Sequence, residues 1–106
     1  MQIRGGMGEL MRQASRIQRR IEKRKEELKS ETTEASAGDD RVKVVVNGAN
    51  EIVQVRFDPK LLREEDPAIV EDLTVVATNA ALKKMREMTE SEIDKITGGL
   101  KIPGLG

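Results

Sequence analysis

Two valine-rich runs of period two lie four residues apart in the segment RVKVVVNGANEIVQVRFDP, residues 41–59. Val42, Val44 and Val46 alternate with Lys43 and Val45, and Val53, Val55 and Phe57 alternate with Gln54 and Arg56. Such alternation marks half-buried strands, and the short NGAN connection closes them into a β-hairpin. Asn47–Gly48 supplies residues that tolerate positive φ. Strict alternation puts Val45 and Ile52 on the opposite face, either exposed singly or covered by a helix or a second subunit.

Helix-forming sequence brackets this hairpin. Downstream, DPKLLREEDPAIVEDL carries two Asp-Pro pairs, Asp58–Pro59 and Asp66–Pro67. Proline suits the first helical position, and the aspartate before it can accept from the free N–H groups of the first turn. The first pair is expected to open a single turn that buries Leu61 and Leu62. The second is expected to open a long helix over residues 67–96. Ile69, Leu73, Val76, Ala77 and Ala80 would form its apolar stripe, Met85 and Met88 would continue it, and Gly98–Gly99 would end it.

Upstream, residues 7–28 read as a helix. With Met7 at heptad position a, Leu10, Ala14, Ile17, Ile21 and Leu28 fall on the a/d seam, and Arg24 is the exception. A seam this narrow suits packing against one partner helix or a sheet edge. Residues 1–6 read as a flexible lead-in and residues 99–106 as a flexible tail. Between helix and hairpin, KSETTEASAGDD offers a weak strand and then a turn at Gly38, Asp39 and Asp40.

At 106 residues the chain is expected to form a single domain, 1–106, with a limited core. Phe57 is the only aromatic, so that core must come from Val, Ile, Leu, Met and Ala, and a second subunit is expected to complete it. The absence of Cys and His excludes thiol chemistry, disulfides and the commonest zinc sites, and it removes the usual general base. No Gly-rich phosphate loop or nucleophile–base pair is present, and Ser15, Ser30, Ser36 and Ser91 have no imidazole to activate them. Neither enzymatic activity nor a cofactor, metal or small-molecule substrate is expected. No apolar run approaches the ~20 residues of a membrane span, and MQIRGGMGEL has no signal-peptide core, so a cytoplasmic protein with no membrane partner is expected.

Charge is distributed unevenly. Residues 1–29 hold nine basic and four acidic groups, residues 30–66 hold five and nine, and residues 67–106 hold five and six, for a net charge of zero. Arg12, Arg16, Arg19 and Arg20 fall in a stretch with no acidic residue between Leu10 and Ile21. Arg12, Arg16, Arg19 and Lys23 follow a four, three, four spacing, which ranks them along one helix face over about 16 Å, away from the seam. Like charges at i,i+4 cost an isolated helix a few tenths of a kcal/mol each. Guanidinium groups grip phosphate in a two-pronged contact, so the row suits a nucleic-acid backbone. A plain solvated face remains an open alternative, as does pairing of this helix with another protein. Lys83, Lys84 and Arg86 form a weaker second cluster beside Glu87 and Glu90.

Taken together, GGMGELMRQA, VKVVVNGANEIVQVRFDPKLL, EDLTVVATNAALKKMRE and the Gly/Pro-containing tail resemble the YbaB/EbfC family of bacterial nucleoid-associated proteins over essentially the whole chain. The resemblance implies an α+β fold, helix–three strands–helix, with SETTEASA holding the first strand. It also implies a homodimer with projecting helical arms and duplex DNA bound with limited sequence preference in the nucleoid. DNA contact would lie on Arg12, Arg16, Arg19, Arg20 and Lys23, helped by Lys83, Lys84 and Arg86.

Overall fold

The computed structural model describes residues 3–98, with side chains over 6–98. The elements are α1 (Ile3–Leu28), β1 (Thr32–Ala37), β2 (Val42–Asn47), β3 (Ile52–Phe57), α2 (Pro59–Glu64) and α3 (Pro67–Thr97). The strands form one antiparallel sheet in the order β1-β2-β3. The architecture is therefore the expected helix, three strands and long helix, with α2 as a single short turn. The expected tail, 99–106, lies outside the described residues, as do residues 1–2 of the expected lead-in. Helix α1 already begins at Ile3 and runs through Gly6 and Gly8, earlier than residue 7. No described helix is long and apolar enough to cross a membrane.

Both Asp-Pro pairs cap helices. Asp58 accepts from the Lys60 N–H at 2.9 Å and Asp66 from the Ala68 N–H at 2.9 Å, with proline opening each helix. Gly98, at φ 63°, ends α3 in the left-handed conformation, its N–H donating to the Asp94 carbonyl. The short turn buries only Leu61. Leu62, expected beside it, is exposed, because a helix of six residues can turn only one of two adjacent side chains inward.

The core lies between α3 and the sheet. Val42, Val44 and Val46 of β2 pack with Leu61, Ala77, Ala81 and Met85, and Val70, Leu73 and Met88 extend the contact. The buried stripe of α3 is thus 70, 73, 77, 81, 85 and 88. Leu73, Ala77, Met85 and Met88 of the expected stripe lie on it, whereas Ile69, Val76 and Ala80, expected with them, are exposed off the core. Ile69 and Val76 stand one residue before buried or half-buried positions, so they fall on a flank of the helix about 100° away. Helix α3 packs chiefly over β1 and β2. Strand β3 is left exposed along its whole length, Val53, Val55 and Phe57 included.

The hairpin departs from strict alternation. Val45 is opposite Gln54 but Val46 is opposite Ile52, a register shift that places Ile52 on the face of buried Val46 rather than the opposite one. Positive φ falls at Asn50 and not at Asn47–Gly48, correcting the expected role of that pair. Gly48 is required for space instead. Its N–H donates to the Leu28 carbonyl at 3.1 Å, so the hairpin turn closes the C-terminal end of α1. A Cβ at Gly48 would meet the Leu28 carbonyl oxygen at 2.0 Å and its carbon at 2.5 Å. Backbone cannot swing aside as a side chain can. Gly48→Ala is expected to lower stability by about 2–3 kcal/mol, read as an earlier denaturant midpoint at unchanged slope. A loss below about 0.5 kcal/mol would show that the turn yields freely.

Candidate nucleic-acid interface

Helix α1 has two halves with different surroundings. In its C-terminal half Ile21 and Leu28 are buried and Ile17 is half-buried, whereas Met7, Leu10 and Met11 are 56%, 65% and 68% exposed. Arg24 reaches Glu92 at 2.6 Å, and Ile96 lies against Arg20 and Lys23. Later residues of α3 thus meet earlier residues of α1, so the two helices run antiparallel. Helix α3 ends at Thr97 beside the turn holding Arg20, and the rest of α1 continues past it as a free arm. An arm of about 25 Å beyond a helix of about 46 Å accounts for most of the 77 Å length of the molecule, which is only 19 and 17 Å across.

Arg24, the misfit of the heptad seam, is the clasp at the arm's base. Its guanidinium is held by Glu31 and by Glu92, with Glu27 at 3.4 Å. Those hydrogen bonds, Glu31 first and Glu92 second, raise the arginine pKa, so the group stays charged at all accessible pH. A charged residue at a d position was the signal in the sequence. The partner carboxylate, 68 residues away, could not be read there. Glu92 in turn is held below the ordinary 4.5 by hydrogen bonds from Arg24 and then Lys95. A lowered folded-state pKa means that the clasp contributes in full above 4.5 and is lost as pH falls through the lower folded value. Protection of the amides around Ile21, taken relative to the intrinsic exchange rate at each pH, is therefore expected to fall on acidification to about pH 3, and to fall less in Glu92→Gln, which has no proton to gain.

Arg12, Arg16 and Arg19 on the free arm, and Arg20 and Lys23 at its base, are all exposed. They are not all unpaired. One carboxylate, Glu9, sits 2.9 Å from Arg12 and 3.5 Å from Arg16. Among the described residues Arg19, Arg20 and Lys23 have no ion pair within 4.0 Å. The Glu9 pairs are half or more exposed, and pairs of that kind contribute about 0–1 kcal/mol. A phosphate can displace them. Arg12, Arg16 and Arg19 line one shallow surface with Met11 and Ser15, so the structure does bring these three guanidinium groups together.

Lys83, Lys84 and Arg86 are exposed too, but they sit elsewhere. Lys84 turns to β1, its ammonium donating to the Glu34 carbonyl at 3.1 Å. Thirteen residues of α3 separate Lys83 from Ile96, about 20 Å, so within one chain this cluster is not continuous with the arm.

Comparison with known proteins fits this geometry. Residues 4–100 match the YbaB/EbfC DNA-binding family. A nucleoid-associated protein of Pelotomaculum thermopropionicum is 43% identical over 101 residues, covering 95% of this chain and 96% of that one. A nucleoid-associated protein of Myxococcus xanthus is 44% identical over 95 residues, 90% of each. The crystal structure of an uncharacterized Helicobacter pylori protein shares the fold at a TM-score of 0.61, with 22% identity, over 74% of this chain and 90% of that one. This chain belongs to the YbaB/EbfC DNA-binding family.

Proposed function

We propose that the protein binds duplex DNA as a homodimer, gripping backbone phosphates between two basic arms with limited sequence preference, and acts in the nucleoid. One observation carries this reading: Arg12, Arg16, Arg19, Arg20 and Lys23 stand exposed on a helix that projects beyond the body of a chain that is neutral overall. Guanidinium groups about 6 Å apart along a rod suit a polyanion and read no base edges from the backbone side. No aromatic side chain lies on the arm, so stacking on single strands has no platform there. Relatives named nucleoid-associated proteins support the same reading. The partner copy would cover the open face formed by β3 and the Ile69–Val76 flank of α3.

Binding of this kind draws its free energy from counterion release. If the dimer engages about six phosphates, log K falls with log salt at a slope of about −5. A mobility-shift titration with duplex DNA, single-stranded DNA and RNA at two salt concentrations tests the proposal. Duplex preference with a steep slope is expected. Binding indifferent to salt, or tighter on single strands, would refute it.

A further inference from the structure

The face of α1 that carries Arg12, Arg16 and Arg19 also carries a hydroxyl. Ser15 is exposed and lines the same shallow surface as these three guanidinium groups. Arg12 stands three residues before it and Arg19 four after, which places both on the serine's own face, and Arg16 adjoins it on the flank. The role proposed for the arm makes no use of this hydroxyl.

An arginine three residues before a serine or threonine is a charge pattern that arginine-directed protein kinases read through acidic groups in their peptide grooves. In this sequence only Ser15, after Arg12, and Thr89, after Arg86, have that spacing. Their surroundings separate the two. Thr89 is half-buried in the packed part of α3, and its hydroxyl donates to the Met85 sulfur at 3.9 Å. Ser15 lies on the free arm, past the end of α3, with Leu10, Met11 and Ala14 before it all exposed. A helical segment without a tertiary partner opens easily, and Gly6 and Gly8 weaken this one further. The backbone around Ser15 can therefore extend into a kinase groove. The backbone around Thr89 can do so only if the core at Met85 opens.

We propose that Ser15 is a phosphorylation site and that a phosphoryl group there switches the arm off, an inference that rests on the phosphate-gripping reading of the arm. In the transfer, Ser15 Oγ attacks the γ-phosphorus of a nucleoside triphosphate held by the kinase. The Oγ–P bond forms, the bond from that phosphorus to the β,γ-bridging oxygen breaks, and nucleoside diphosphate leaves. The hydroxyl proton passes to the kinase's catalytic carboxylate, the base that this chain does not supply. Residues 7–23 hold five cations and two carboxylates, a net charge of +3. Phosphoserine brings about −2 and leaves about +1. Its oxygens accept hydrogen bonds from the guanidinium groups of Arg12, Arg16 and Arg19, so a phosphate of the chain's own occupies the groups that grip DNA. Glu9 already holds Arg12 and Arg16 in this manner with a single charge.

Full-length protein treated with an arginine-directed serine kinase and ATP is expected to gain one phosphoryl group per chain. Peptide mass spectrometry should place it on Ser15, with Thr89 labelled at least about tenfold more slowly. No incorporation, or incorporation led by any other residue, would overturn the site. The phosphorylated protein is expected to bind duplex DNA about a hundredfold more weakly than the untreated protein at about 0.1 M salt, with the salt slope falling from about −5 to about −2.7. A loss below about tenfold would overturn the switch. Ser15→Ala, carried through the same treatment, is expected to bind alike before and after it. A loss on treatment in that variant would assign the effect to another residue and overturn the proposal. Untreated protein in the same titration keeps the two readings apart. If it fails to bind duplex, the proposed function falls and takes the switch with it. If it binds and phosphorylation changes nothing, the switch alone falls.

Discussion

Arg12→Gln, Arg16→Gln and Arg19→Gln together are expected to weaken duplex binding roughly several-hundred-fold at about 0.1 M salt, with fold and dimer unchanged. Each phosphate contact contributes about 0.9 decade of affinity at 0.1 M relative to 1 M. Counted over both arms, the variant removes Arg12, Arg16 and Arg19 twice and keeps Arg20 and Lys23 twice, so about half of roughly six contacts go, which removes close to three decades and lowers the salt slope to about −2.7. Stability should hardly move, because these side chains are exposed and the two ion pairs to Glu9 contribute little. The reverse substitution makes the same point. Glu9→Gln removes the one carboxylate holding both Arg12 and Arg16, and is expected to tighten duplex binding by about 3- to 10-fold. A triple variant that binds duplex as tightly as the parent would transfer the arm to the alternative role, pairing with another protein.

How much of this is legible in sequence differs by element, and the reasons are physical. The capped helix starts at Asp58 and Asp66 and the hairpin are readable because local chemistry decides them: a proline ring, a carboxylate within reach of free N–H groups, and alternation over six residues. The first strand, TTEASA, carries almost no such signal, and its pairing with β2 rests on that neighbour. Periodicity alone selects four core positions of α3, Leu73, Ala77, Met85 and Met88, but mixes in Ile69, Val76 and Ala80 from an exposed flank. A helix of 31 residues with Val75, Val76 and Ile69 beside Val70, Leu73 and Ala77 has two apolar faces, and the pattern cannot say which meets the sheet. Ile52 is misplaced by one inserted residue, since a bulge reverses the face of everything beyond it. At the arm, the row of cations is visible in sequence, but its restraint by Glu9 is not, because i,i+3 and i,i+7 pairing depends on rotamers.

Val76→Lys is expected to break the proposed homodimer, giving a monomer of 11.8 kDa in sedimentation at micromolar concentration. Val76 is 56% exposed on the flank of α3 away from the chain's own core, so a lysine there leaves the packing of Val42, Val44, Ala77 and Met85 intact. In a two-fold dimer each substitution counts twice, and two ammonium groups would have to be desolvated against the partner's apolar face. Fully burying one valine contributes about 1.5 kcal/mol or more, so losing two while adding two charges exceeds what a small interface can absorb. Val55→Lys on β3 probes the other half of the same open face, where Val55 is 39% exposed, and should act in the same direction. Circular dichroism separates loss of association from loss of fold, since both variants should keep their helices. DNA binding then reports on the architecture. A monomer presents one arm, so about three phosphate contacts remain and the salt slope falls to about −2.7, although every arm cation is still present. If Val76→Lys stays dimeric with an unchanged slope, the subunits meet on some other surface, and the β3 and Ile69–Val76 face is free for a different purpose.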